Sequence, residues 1–299
     1  MTSGATTQGP GELEPPFSVL VPAEQTCPFV FCSPHSGRIY PADLIAAARL
    51  DRHALRRSED CYVDEMFAGV VGLGAPLISA HFPRAYLDVN REPYELDPAL
   101  FAEPLPDYAN PHSSRVSGGL GTIARVVADN EEIYRSPLPL EVGLTRIETL
   151  YKPFHRALAG LIEETQAAFG VAHLIDCHSM PSTSVGLHGG VRPDFVLGDR
   201  FGMSCDARLT RRVRDLLAGR GYEVVLNRPY AGGYITEHYG APRHGRHALQ
   251  IEINRGLYLN ERTLERTEGF APLVAALSQV LQELLGSFGE SSRARLAAE

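Results

Sequence analysis

The sequence predicts an α/β protein whose helices are layered on one central sheet. Three observations lead there. Short apolar runs bounded by turn residues recur along the chain, stretches with a 3.6-residue apolar period stand between them, and no repeat or proline/serine-rich linker divides the chain. The expected organisation is a Gly/Thr/Pro-rich tail over residues 1–16, a single domain over 17–286, and a polar tail over 287–299.

Element by element, the apolar run at 28–32 ends in Pro34-His35-Ser36-Gly37 and reads as a buried strand with a loop at its C-terminal end. Leu44, Ile45, Ala48 and Leu55 follow Pro41 and suggest a helix with proline at its first position. Residues 75–80 and 85–89 read as two strands separated by residues 81–84. From Glu141 a stripe of Val142, Ile147, Leu150, Phe154, Leu158, Leu161, Ile162 and Phe169 marks a long helix that stops at Gly170. A strand over 171–176 comes directly after it. Asp206 is placed to cap a helix carrying Leu209, Val213, Leu216 and Leu217, which ends at Gly219 and Gly221. Strands over 222–226 and 247–253 and an amphipathic helix over about 263–285 complete the reading.

Composition narrows the function. Of 299 residues, 44% are hydrophobic and 21% charged, the make-up of an ordinary globular protein. The 28 Lys and Arg against 36 Asp and Glu leave a net charge of −8 and form no basic run, so nucleic acid is not an expected partner. No apolar stretch reaches the roughly 20 residues of a membrane-spanning helix, so no membrane partner is expected either. Five cysteines without CxxC spacing argue against a disulfide framework, and the first residues lack a secretory n-region and h-region; both favour a reducing, cytoplasmic location.

In open α/β sheets ligands bind beyond the carboxyl ends of the strands, and there the chemistry-bearing residues collect. His35 follows one apolar run, His178 follows another, and Glu252 stands near the end of a third. Residues 58–65 crowd Glu59, Asp60, Asp64 and Glu65 between two apolar segments. Two imidazoles and one carboxylate with an open position make a catalytic zinc set, and a further carboxylate that is not a ligand can act as base. Read alone, the acidic run is equally a solvated helix start, and Asp176-Cys177-His178-Ser179 equally a structural turn. Asn90 and Arg91 offer neutral donors and a planar fork for a carboxylate, or else a surface pair with Asp88 or Glu92. The Gly-rich stretch 232–240, with His238, is either a lid over a substrate or a long hairpin. No GxSxG elbow or phosphate loop occurs.

Eight segments, in order, resemble the N-formylglutamate amidohydrolase family: residues 33–37, 60–64, 87–91, 152–155, 176–179, 197–206, 232–240 and 247–253. The family is similar in fold to zinc carboxypeptidases and aminoacylases, which implies a three-layer α/β/α sandwich around a mixed central sheet. The resemblance implies one zinc ion on His35 and His178, Asn90 and Arg91 gripping a substrate carboxylate, and Glu252 as general base. Zinc carboxypeptidases carry a ligand Glu three positions after the first His, where this chain has Arg38; Asp60 is taken as the replacement ahead of Asp64 and Glu65. Asp176 is expected to orient a ligand imidazole, and His238 to assist proton transfer or bind substrate. The implied activity is hydrolysis of N-formyl-L-glutamate, or a similar N-acyl amino acid, to formate and the free amino acid, a step of histidine degradation. Two alternatives remain at this level: a zinc amidase or peptidase for another N-acyl amino acid or peptide, and a binding protein without catalysis. The sequence leaves the oligomeric state open.

Overall fold

The computed structural model describes residues 10–127, 130–184, 186 and 192–296; residues 1–9 and 297–299 of the two expected tails lie outside them. In chain order the described elements begin with β1 (Phe17–Leu20), β2 (Phe29–Ser33), α1 (Ala42–Ala47), α2 (Arg52–Arg56), α3 (Val63–Phe67) and β3 (Leu77–Ala80). Next come α4 (Ser114–Ser117), α5 (Leu140–Arg146), a π-helical turn (Ile147–Tyr151), α6 (Lys152–Phe169), β4 (Ala172–Met180) and β5 (Phe195–Gly198). The chain finishes with α7 (Ala207–Ala218), β6 (Val224–Leu226), α8 (Tyr234–Tyr239), β7 (Arg246–Asn254), the small hairpin of β8 (Leu259–Asn260) and β9 (Glu265–Arg266), and α9 (Phe270–Leu296).

The seven-stranded sheet has the order β1-β3-β2-β4-β7-β5-β6. β3, β2, β4 and β7 run parallel, and β5 pairs antiparallel to β7 and parallel to β6, so the sheet is mixed as expected. The chain forms two compact units: Met1–Ser18, Gly37–Glu59 and Ala80–His155 in the first, Val19–Ser36, Asp60–Ser79 and Arg156–Glu299 in the second.

The second unit shows why the strands alternate as they do. Successive side chains of a strand point to opposite faces. Phe29 and Phe31 of β2, Ile175 and Cys177 of β4, and Leu249, Ile251 and Ile253 of β7 share one core with Met66 and Phe67 of α3, Val213 and Leu217 of α7, and Leu277 and Leu281 of α9. Each fully buried large apolar side chain contributes about 1.5–3 kcal/mol. The alternate positions of β4 and β7 present polar residues to the other face: Asp176, His178, Gln250 and Glu252, all buried. α8 covers part of that face, its Thr236 hydroxyl donating to Asp176 Oδ2 at 3.2 Å. The apolar face therefore offsets the cost of burying charged groups opposite, several kcal/mol per ion before pairing.

In the first unit, the expected strand 85–89 is not a strand. Phe82, Tyr86, Leu87 and Val89 are fully buried, which is why the run looks strand-like, but the backbone bonds go elsewhere. The Asp88 N–H donates to Thr122 O at 2.8 Å, and the Val89 carbonyl faces His155 Nε2 at 2.8 Å. Arg146 supports the segment from within, its guanidinium 3.7 Å from the Tyr86 ring centroid and donating to the Tyr86 carbonyl at 3.2 Å.

Other boundaries differ in instructive ways. The helix expected after Pro41 is two short ones: the chain turns extended at Ala48, and Asp51 caps α2 by accepting from Ala54 N at 2.8 Å. Proline stands at the N-cap of α1 and not at its first helical position. The stretch 232–240 is not a hairpin, since Tyr234–Tyr239 form α8. β4 runs to Met180, so His178 lies inside a strand. The last helix begins at Phe270 and stays helical to Leu296, because residues 265–266 pair in the β8–β9 hairpin. β5, which the sequence reading passed over, is the strand that makes the sheet mixed.

Candidate metal centre and active site

Three buried side chains of the second unit, His35, Asp60 and His178, offer ligand atoms all within 4.8 Å of one another. Each is placed by a different local device. His35 stands two residues beyond β2, and its carbonyl accepts the Asp60 N–H at 3.0 Å, tying the two loops together. Asp60 ends in a turn into α3 whose N-cap, Tyr62, takes a left-handed φ of 64°. His178 projects from β4 on the polar face of the sheet. The His35 and His178 ring centroids are 4.9 Å apart.

The distances suit a small divalent ion. Asp60 Oδ2 lies 3.0 Å from His178 Nδ1 and 3.5 Å from His35 Nδ1. Ligand atoms about 2.0–2.1 Å from a tetrahedral zinc sit about 3.3 Å from one another. Two imidazole nitrogens and one carboxylate oxygen form a three-ligand donor set with room for a further position. Among the described residues this is the one group of three or more such side chains. Asp64, half-buried, and Glu65, which pairs with Arg266, are not part of it.

A second ring of contacts fixes these side chains. Asp176 Oδ1 lies 2.8 Å from His178 Nε2, on the side of the ring opposite Asp60, the arrangement by which carboxylates orient metal-binding imidazoles. Arg255 Nη2 donates to Asp60 Oδ1 at 2.9 Å, Ser179 Oγ donates to the same oxygen at 3.3 Å, and Arg255 Nε donates to Ser179 Oγ at 3.1 Å. Burial opposes ionisation of Asp60, yet hydrogen bonds from His178 and His35 and the charges of His178 and Arg255 outweigh it. Its carboxyl is held well below the usual range. Burial likewise disfavours charge on His178, but Asp176, then Asp60 and Glu252, raise it well above 6.5. Arg255 was not singled out in the sequence; its signal is an Arg-Gly pair directly after a buried strand.

Glu252 stands beside His178. In the parallel pairing of β4 and β7 the two residues are direct register partners, as are Asp176 and Gln250. The Glu252 side chain is 6% exposed and its Oε1 accepts from Gln250 Nε2 at 2.8 Å. The structure therefore brings together His35, Asp60, His178, Asp176 and Glu252.

It does not bring His238 with them. On α8, Thr236 faces Asp176, and two residues on, about 200° around the helix, His238 is exposed. Its ring stacks on Tyr234 at 4.9 Å, with Nδ1 3.2 Å from the Tyr234 hydroxyl. Burial and then Arg246 lower its pKa.

Asn90 and Arg91 belong to the first unit. Arg91 Nε donates to the Leu120 carbonyl at 2.7 Å, Nη1 to the Asn90 carbonyl at 2.8 Å, and Nη2 lies 3.5 Å from Asp88 Oδ2. Arg84 holds the same Asp88 oxygen more closely, at 2.8 Å. Burial pulls the Arg91 guanidinium down to about 10, opposed by Asp88 and reinforced by Arg84 and Arg115. The pairing with Asp88 that the sequence left as an alternative is thus present.

A sequence model of the N-formylglutamate amidohydrolase family matches residues 27–259. An N-formylglutamate deformylase of Pseudomonas aeruginosa is 31% identical over 274 residues, covering 90% of this chain and 96% of that protein. One from Pseudomonas putida is 28% identical over 263 residues, 86% and 92% of the two chains. The crystal structure of an N-formylglutamate amidohydrolase from Ralstonia eutropha JMP134 matches with a TM-score of 0.87 at 35% identity, covering 92% of this chain and 99% of that one. With a family match over most of its length, relatives of this similarity and a fold shared to that degree, the chain belongs to the N-formylglutamate amidohydrolase family and is a hydrolase acting on an amide bond.

Proposed function

We propose that the protein is a zinc-dependent deformylase that hydrolyses N-formyl-L-glutamate to formate and glutamate. The observation that carries this reading is the buried His35–Asp60–His178 cluster with Glu252 in register beside it. Support for the substrate comes from the named activities of the two Pseudomonas relatives.

His35, Asp60 and His178 would hold the ion. Zinc supplies Lewis acidity toward a carbonyl oxygen and toward water. The chain's own residues do the rest. Asp176 holds His178 through Nε2, leaving Nδ1 directed at Asp60 and the ion site. Arg255 and Ser179 occupy Asp60 Oδ1, so Oδ2 faces the imidazoles. Glu252 takes a proton from the attacking water at a carboxylate oxygen and returns it to the departing amine nitrogen, a role worth about 10²–10⁴ in rate. Asn90 and Arg91 are proposed to recognise a substrate carboxylate; the neighbouring Arg84 and Arg115 add positive charge to their surroundings. Replacing Arg91 by Ala then raises KM more than it lowers kcat.

Formate release from N-formyl-L-glutamate, compared with N-acetyl- and N-succinyl-glutamate and with N-formyl derivatives of neutral amino acids, tests the reading. Preference for the formyl glutamate supports it. Turnover of the other acyl groups with none of N-formyl-L-glutamate identifies an amidase of different specificity, and no turnover of any with a bound ion contradicts the enzymatic assignment.

A further inference from the structure

Gln250, buried on the polar face of β7, is not a ligand and not a base, yet it has a defined orientation. The Gly233 N–H can only donate, and it donates to Gln250 Oε1 at 2.7 Å. The amide nitrogen is thereby directed the other way and donates to Glu252 Oε1 at 2.8 Å. A buried amide in this setting has one satisfied orientation.

The turn supplying the Gly233 N–H is itself held in place. Gly232 takes φ 116°, open only to glycine, and a Cβ there would come within 2.9 Å of Thr236 Cγ2. The same turn lies directly on β5: a Cβ on Gly198 would come within 2.6 Å of Gly232 N and 2.7 Å of the Ala231 carbonyl carbon. Gly198 is the antiparallel register partner of Gln250, so the absent side chain lets the turn descend to the sheet at the point where Gln250 stands. Sequence position 232–233, position 250 and position 252 thus form one hydrogen-bonded series.

We propose that Gln250 is a positioning residue for Glu252, its amide aimed by the Gly233 N–H and fixing the glutamate carboxylate through Oε1. This rests on the reading of Glu252 as the base. A base that must meet water and then the leaving nitrogen loses rate when its carboxylate can rotate, because misplacement by about 1 Å costs on the order of 10²-fold.

Gln250→Met keeps length and removes the amide; Gln250→Glu keeps shape and removes the donor. Both are expected to lower kcat for N-formyl-L-glutamate by about 10–100-fold, with KM within about twofold and the bound metal per chain unchanged. A crystal structure of Gln250→Met is expected to show Glu252 in more than one orientation. Wild-type kcat in both variants, or a single unchanged Glu252 orientation together with wild-type kcat, overturns the inference, as does a loss confined to KM or to metal content. Glu252→Gln separates it from its premise. If Glu252→Gln is inactive and the Gln250 variants are normal, only the positioning role fails; if Glu252→Gln turns over normally, the base assignment fails and this inference with it.

Discussion

His178 and Glu252 are direct register partners on the parallel strands β4 and β7, so a metal-ligand candidate and a base candidate from positions 74 residues apart in the chain share one rung of the sheet. Their spacing is set by the strand ladder, which is more rigid than a loop. Glu252→Gln is expected to keep the metal and lose about 10²–10⁴ in kcat, measured by formate release alongside metal content. Loss of metal in that variant makes Glu252 a ligand and not a base.

Asp176 acts on His178 from the other side. Asp176→Asn keeps the shape and removes the charge opposite Nε2. Zinc affinity is expected to fall about 10–100-fold, read by competition with a chromophoric chelator. An unchanged affinity means that the ring is oriented by its packing alone.

His238 is expected to be dispensable. It is exposed and stacks on Tyr234, on the side of α8 away from Thr236. His238→Ala should leave kcat/KM within about twofold, the ±0.5 kcal/mol scale of surface substitutions. A loss of a hundredfold restores it to the catalytic machinery.

A pH-dependent contribution to stability comes from the opposite end of β4. His173, among Phe29, Phe288 and His247, is lowered from 6.5 to about 3, by burial first and by His247 second. The folded pKa lies below the unfolded one, so the unfolded chain gains the proton first. This contribution is therefore fully present above pH 6.5 and is lost progressively as pH falls toward about 3. By pH 5 the loss, relative to the value well above pH 6.5, is about 2 kcal/mol. His173→Phe removes it, so urea unfolding of chelator-treated protein should show a smaller drop between pH 7.5 and 5 than in the parent. Equal drops in the two proteins contradict the assignment.

Much of this was legible in the sequence, for physical reasons that differ by residue. His35 and His178 stood out because apolar strands delivered them beside small residues. Asp60 is one acid among four, and what sets it apart in the fold is the His35 carbonyl that accepts its N–H and the His178, Ser179 and Arg255 side chains around its carboxylate. Gln250 and Glu252 alternate with Leu249, Ile251 and Ile253, a period of two that marks a strand with one polar face inside the protein. Arg255 is harder to see, because an Arg-Gly pair after a buried strand is a common turn and does not by itself mark a site. Residues 85–89 were misread because burial alone was the signal, and burial does not reveal where backbone hydrogen bonds go.

The central claim is that one ion on His35, Asp60 and His178 supports the hydrolysis. Metal content of the purified protein, measured together with formate release from N-formyl-L-glutamate before and after chelation and in His178→Ala, tests it most directly. The account predicts about one zinc per chain, activity lost on chelation and regained with zinc, and neither bound zinc nor activity in His178→Ala. Full formate release from rigorously metal-free protein, or an undiminished ion in His178→Ala, would contradict it.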